Sequence, residues 1–185
     1  MYSNKKVVVV IPAKIGSKRL HNKNLRDING KTLTKHAYDY AKQSKFVDNI
    51  IISTDAEDLN IFGDVKHAIR HKRKSEHLDE APLKLVIIDV AEFLNLKPEE
   101  TIIVCVQPDH VGRDLILDES LDILAKTKNA LLKSKELNGS PSGAYYMGSL
   151  ELFYQKKPKI FSIFDSAINI HYLNDLERAR KKINE

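Results

Sequence analysis

Lys14, Lys18, Arg19 and Lys23 crowd into one short stretch around Gly16 and Ser17. Residues of these types, so spaced, suit phosphate. Gly16 lets the backbone approach a ligand closely, neighbouring N–H groups can cup phosphate oxygens, and lysine and arginine neutralise the charge. The stretch lacks the paired glycines and the Gly-Lys-Ser/Thr ending of a Walker A loop. A triphosphate fits its charge; a solvated basic turn after a core strand is the other reading of the same spacing.

The elements around this loop decide what it can do. It follows Val7-Val8-Val9-Val10-Ile11-Pro12, a continuous apolar run that predicts a central parallel strand, and ligands of such sheets bind beyond the carboxyl ends of the strands. Further along, the pattern predicts a helix over 33–44, a strand over 49–53, a helix over 56–62 and a basic connector over 65–71. Pro82 can open the next helix, ahead of Leu85, Ile88, Val90, Ala91 and Leu94, and a turn at Lys97 to Glu100 leads into a strand over 101–106. The remainder reads as an amphipathic segment over 115–126, strands over 130–137 and 144–148, a helix over 150–155, a short strand over 166–170 and a last helix over 173–182. Alternation of this kind argues for an α/β domain with a mainly parallel sheet.

Composition narrows the class. A chain of 185 residues with 42% hydrophobic and 30% charged residues suits one soluble domain, 1–185. No apolar run approaches the roughly 20 residues of a membrane span, and the N-terminal apolar run is too strand-like for a signal peptide, so the expectation is a cytoplasmic protein that does not engage a membrane. The single cysteine, Cys105, sits in an apolar run as a small buried hydrophobe. A net charge of +5 permits nucleic-acid binding without requiring it, and none is expected. The densest basic cluster, His67 to Lys74, reads as a solvated helix end or loop; the alternative is that Lys72 or Arg73 reaches the ligand of the glycine loop.

The ordered motifs carry a resemblance. Ile11 to Arg19, then Lys23-Asn24-Leu25 and Gly30-Lys31-Thr32-Leu33, resemble the opening of the cytidylyltransferases that make CMP-activated acidic sugars, the acylneuraminate branch above all. In that family the order is Ile-Pro-Ala-Arg-x-Gly-Ser-Lys-Arg, Lys-Asn-Leu and Gly-Lys-Pro-Leu. Ile50 to Asp55 is similar to its second strand with a Ser-Thr-Asp ending, Ser75 to Pro82 to its Glu-Leu-Ser-x-Asp-x-Ala loop, Gln107 to Arg113 to its Gln-Pro-Thr-Ser-Pro-Leu-Arg element, and Ser142 to Met147 to its Asn-Gly-Ala-Ile-Tyr-Val strand.

The resemblance implies a three-layer α/β/α, Rossmann-like, nucleotide-diphospho-sugar transferase domain in which the anomeric hydroxyl of an acidic, sialic-acid-like sugar attacks the α-phosphorus of CTP. It implies Lys14, Arg19 and Lys23 as catalytic cations, and Ala13, Gly16, Ser17, Asn24, Asp55 and His77 as nucleotide contacts. Gln107, Arg113 and Tyr146 would meet the substrate, and Asp109, Asn169 and His171 would hold Mg²⁺ or Mn²⁺. By their positions alone, Asn24 and Gln107 also suit a turn and a strand end, Asp109 a cap, and Asp55 a receiver of backbone N–H groups.

Several positions depart from the family. Lys14 replaces an arginine, which keeps the charge and loses bidentate geometry. Asn169-Ile170-His171 stands where acylneuraminate synthetases carry Asp-Ile-Asp, while Gln107-Pro108-Asp109 resembles the Gln-Gly-Asp metal element of ketodeoxyoctonate cytidylyltransferases. His110-Val111-Gly112 replaces Ser-Pro-Leu on the sugar side. The segment that builds the family homodimer is compressed into Asp114 to Ser142. These departures leave two other expectations open: a relative that binds nucleotide or sugar without turnover, and a nucleotidyltransferase using another base with a sugar 1-phosphate.

Overall fold

In the computed structural model, described here for residues 1–77 and 81–184, the chain runs β1 (Lys6–Pro12), β2 (Asp27–Ile28), β3 (Lys31–Thr32), α1 (Leu33–Lys42), β4 (Asn49–Thr54), β5 (Ala68–Lys72), α2 (Leu83–Phe93) and β6 (Thr101–Cys105). It continues with β7 (His110–Val111), α3 (Leu117–Lys126), β8 (Leu131–Lys135), β9 (Pro141–Ser149), α4 (Leu150–Tyr154), β10 (Ile160–Phe164), β11 (Ile168–Asn169) and α5 (Leu173–Asn184).

Seven strands form one sheet in the order β10-β8-β9-β6-β1-β4-β5. β6, β1, β4 and β5 pair in parallel, as do β8 and β10, while β9 runs antiparallel between β6 and β8. The fold is the mainly parallel α/β arrangement expected. β1 lies at its centre because both its faces are apolar. Val7, Val9 and Ile11 pack with Ala37, Tyr38 and Ala41 of α1 and with Leu117, Leu121 and Leu124 of α3, whereas Val8 and Val10 pack with Ile87 and Val90 of α2 and with Leu150 and Phe153 of α4. This is why the run does not alternate with polar residues.

A third apolar cluster, Leu20, Ile28, Leu33, Val111, Ile170, Leu176 and Ala179, ties the basic loop to α5 and to the β7–β11 ribbon. The loop is therefore anchored at both ends. Thr32 caps α1 by accepting from Lys35 N at 3.0 Å.

Some local expectations change. The helix expected over 56–62 is only a 3-10 turn, Leu59–Phe62, because Asp58 accepts from Asn60 N and Gly63 ends the turn with φ of 99°. The basic connector over 65–71 contains β5, an edge strand whose Ala68, Arg70 and Lys72 alternate with Ile69 and His71. Sequence patterning gives no sign of β10, a second edge strand that leaves Ile160, Phe161 and Phe164 exposed. β11 is shorter than the expected strand over 166–170, and β9 begins at Pro141, ahead of the expected strand over 144–148. Cys105 is buried as expected, and burial pushes its thiol up to about 12.

Candidate functional site

A cavity of about 270 Å³ opens beyond the carboxyl ends of β1 and β6 and is closed on its far side by residues following β5 and by the start of α2. Of the residues expected to form a site, Lys14, Ser17, Arg19, Lys23, Asn24, His77, Gln107, Asp109 and His171 line it. They come from loops widely separated in sequence, brought to one sheet end as the strand-end rule requires.

One ion pair and one hydrogen bond bring loop cations to the cavity wall. Lys23 Nζ pairs with Asp109 Oδ2, and Asp109 Oδ1 lies 2.9 Å from His110 Nδ1. On the ring's other side, His110 Nε2 accepts from Gly143 N at 2.9 Å, which places the imidazole proton on Nδ1, donating to Asp109. Burial would raise the Asp109 carboxyl, but the hydrogen bond from His110 and the charge and hydrogen bond of Lys23 override it and hold the group well below the usual carboxylate range. The hydrogen bond runs from Arg19 Nη1 to His171 Nδ1, 3.1 Å. Arginine only donates, so His171 accepts there. Burial, then the charges of Arg19 and Lys23, lower the His171 pKa.

The loop is braced by residues that do not line the cavity or do so only in part. Asp55 accepts from Ile15 N at 2.8 Å, so its carboxylate fixes the loop backbone. Asn24 Nδ2 donates to Lys14 O at 2.8 Å, and Asn24 O accepts from Thr34 Oγ1 at 3.0 Å. Ala13 is buried and extends the β1–β4 pairing through Ala13 N to Ser53 O, 2.9 Å. Neither Ala13 nor Gly16 lines the cavity. Gly16 keeps open space where a side chain would stand, with nothing within 4 Å of a Cβ built there.

Three more of the expected residues do not line this cavity. Arg113 spends Nε on Ala144 O at 2.9 Å and Nη2 on Gln107 O at 2.8 Å, with its guanidinium 4.9 Å from the Tyr40 ring centroid. These bonds hold β9 to the strand end. Tyr146 packs on Phe153 with ring centroids 5.1 Å apart, on the α2 and α4 side of the sheet. Asn169 lines a neighbouring cavity with Asp165 and Arg178, and its Oδ1 is buried without a hydrogen-bond partner. Gln107 donates to Gly143 O at 3.2 Å, and a Cβ at Gly143 would come within 2.0 Å of Gln107 Nε2, so glycine is required for that close approach.

The far wall was hard to find from sequence. Arg73 lines the cavity and is buried, with Nη2 lacking a partner among the described residues. It sits in the basic cluster read as solvated; only the alternation of partly buried Ile69 with buried His71 and Arg73 could have exposed it. The Ser75 to Pro82 element is described at Ser75 to His77, Ala81 and Pro82, and its residues 78–80 lie outside the described residues.

Several lowered pKa values give the fold an acid limit. The carboxyls of Asp39, Asp109, Asp114 and Asp175 are all lowered because ion pairs and hydrogen bonds outweigh burial. Burial lowers the imidazoles of His71 and His171. A depressed folded pKa means the unfolded chain takes up protons first as pH falls. Thermal melts across pH should therefore lose stability first below about 6.5, from the two histidines, and more steeply below about 4, from the carboxyls.

No described helix is long and apolar enough to cross a membrane. Comparison with known proteins gives the chain its relatives. A 3-deoxy-manno-octulosonate cytidylyltransferase of Francisella tularensis is 33% identical over 118 residues, which are 60% of this chain and 46% of that protein. The chain thus spans about half the length of the curated relatives it matches. The fold is shared with a cytidylyltransferase of Leptospira borgpetersenii (TM-score 0.69, 17% identity, covering 97% of this chain and 87% of that one). It is shared also with a CMP:2-keto-3-deoxy-manno-octonic acid synthetase in complex with CTP (TM-score 0.66, 18% identity, covering 97% and 99%). The cytidylyltransferase family model matches residues 8–138, from the second residue of the buried β1 run, through the basic loop and Asp109, to the turn before β9, and the chain belongs to that family.

Proposed function

We propose that this chain transfers the cytidylyl group of CTP to the anomeric hydroxyl of an acidic keto sugar, releasing pyrophosphate. The observation that carries the reading is the cavity lined by Lys14, Lys18, Arg19 and Lys23 together with Asp109, the one carboxylate residue of its lining among the described residues. Such a cluster suits a triphosphate and neutralises charge as the P–O bond to pyrophosphate breaks and the new P–O bond to the sugar forms. The names of the curated relatives favour an eight-carbon octulosonate acceptor over the nine-carbon sialic-acid type that the N-terminal motif suggested.

Among the described residues no three of His, Cys, Asp and Glu converge to hold a metal ion. Mg²⁺ or Mn²⁺ does not require such a cage, because hard cations often bind through one carboxylate and the substrate phosphates. Asp109 would hold the ion, His110 would keep that carboxylate oriented, and Lys23 would move from Asp109 Oδ2 to the phosphates. His171, occupied by Arg19, is a poor ligand for a hard cation. The ion would add positive charge where the phosphate oxygens gain negative charge.

A pyrophosphate-release assay with CTP, Mg²⁺ and either 3-deoxy-manno-octulosonate or N-acetylneuraminate tests the reading. Turnover with the first acceptor supports it in full; turnover with the second alone moves the acceptor back to the sialic-acid type. Tight CTP binding with no turnover on either sugar would favour a binding-only role, the reading that the occupied Asp109 oxygens also suit. Asp55→Ala should raise the KM for CTP about tenfold while leaving the melting temperature nearly unchanged. It removes one charge-assisted bond from the loop backbone at an exposed position.

A further inference from the structure

The main sheet ends in two edge strands that are protected unequally. β5 carries Arg70 and Lys72, charged side chains of the kind that keep an edge from pairing with another chain. β10, Ile160-Phe161-Ser162-Ile163-Phe164, carries none; Pro158 and Lys159 guard only its approach. Its backbone is open on the outer side. Lys159 O accepts from Leu131 N and Asp165 N donates to Lys135 O, so alternate residues from 159 to 165 turn toward β8. The N–H and C=O groups of Ile160, Ser162 and Phe164 therefore turn away from the sheet. Side chains alternate as well. Ile160 is in register with Leu131, which packs on the α2 and α4 side, and Phe164 shares its face; Phe161 is in register with Leu132, which packs on the α1 and α3 side. Ile160, Phe161 and Phe164 are 43%, 44% and 64% exposed, so apolar surface shows on both faces of one edge.

We infer that the outer edge of β10 is a docking site for an extended, apolar strand of another protein flanked by acidic residues, which adds to the sheet beside β10. A strand along the edge meets the outward N–H and C=O groups and touches both faces at once, whereas a bilayer or a globular surface laid on the sheet reaches one face only. Charge sets the sign of the partner. Residues 131–137 and 154–164 hold five lysines, Lys133, Lys135, Lys156, Lys157 and Lys159, against one acid, Glu136. The Lys133 ammonium lies 4.5 Å from the Tyr146 ring centroid, on the face that Ile160 shares. The same lysines disfavour a second copy of this chain. An antiparallel second β10 would set its Lys156, Lys157 and Lys159 against the finish of the first, where Phe164 is in register with Lys135. The surface stands apart from the transfer reaction, since no residue from 154 to 164 lines the cavity.

The probe is a synthetic peptide, Glu-Glu-Val-Val-Thr-Val-Val-Glu-Glu, acetylated and amidated at its ends. Added to the nitrogen-15-labelled full chain, it should slow amide hydrogen exchange at Ile160, Ser162 and Phe164 at least about tenfold. Unchanged exchange at these three up to the solubility limit of the peptide overturns the inference. The same peptide with lysine in place of glutamate should bind at least about tenfold more weakly at low salt; equal binding overturns the inference, because the lysines would then select nothing. Phe161→Glu and Phe164→Glu, on opposite faces, should each weaken binding of the glutamate peptide at least about fivefold. Both side chains are exposed, so the melting temperature and pyrophosphate release from CTP should stay at wild-type values. Weakening by only one of the two substitutions would assign the patch to a partner seated on one face and overturn the inference. A dimer in sedimentation that either variant dissolves would give the edge to a second copy, and binding to phosphatidylglycerol vesicles that either variant abolishes would give it to a membrane; each result overturns the inference.

Discussion

Lys23→Met is expected to lower the rate of cytidylyl transfer by about 10²- to 10³-fold, the range for removing one preorganised charge that stabilises a transition state. Lys23 pairs with Asp109 in the cavity, and both side chains are less than a fifth exposed. Without it, the phosphates would lose the cation that Asp109 holds ready beside them. The loss should fall on kcat, with a smaller rise in the KM for CTP, because charge on the phosphates grows as pyrophosphate departs. Asp109→Asn in the Lys23→Met background should lower the rate further, because Asp109 is the carboxylate that would hold the metal ion. Pyrophosphate release measured at saturating CTP reads the effect directly. A Lys23→Met enzyme within threefold of wild type would remove Lys23 from the chemistry.

The near half of the site was open to reading because local sequence determines it. A four-valine run with no polar interruption has to be buried on both faces, and a glycine-containing basic loop after it has to emerge at the strand end. The far half was hidden for a physical reason. Asp89 sits in an apolar helix and gains its meaning only from His71, Lys74 and His77, which approach it in space after β5 pairs with β4. No periodicity reports such a contact. Edge strands β5 and β10 were missed for a related reason: they have one neighbour each, so Arg70 and Lys72 in one and exposed Phe161 and Phe164 in the other weaken the alternation that marks a strand. Arg113 shows a different limit. Its position in the motif was legible, but the number of carbonyl oxygens waiting for a guanidinium was not.

That difference yields the second large effect. Arg113→Ala should destabilise the fold by about 2–4 kcal/mol, because two charge-assisted hydrogen bonds disappear and the carbonyls of Ala144 and Gln107 lose their donor. For a chain of this length the melting temperature should fall by roughly 4–16 °C. Packing is lost as well, since the guanidinium covers the Tyr40 ring at 4.9 Å. Arg113→Lys should restore less than half of the stability: an ammonium keeps the charge, but it cannot span both carbonyls and stack on the ring. A substrate-binding arginine behaves in the opposite way. Its removal would raise the KM for the sugar many-fold and leave the melting temperature near that of wild type, so thermal melts and acceptor KM values measured on the same two variants separate the roles. The geometry places Arg113 with the scaffold, and its indirect effect on the site should pass through Gln107, whose carbonyl it holds and whose side-chain amide reaches Gly143 O at 3.2 Å.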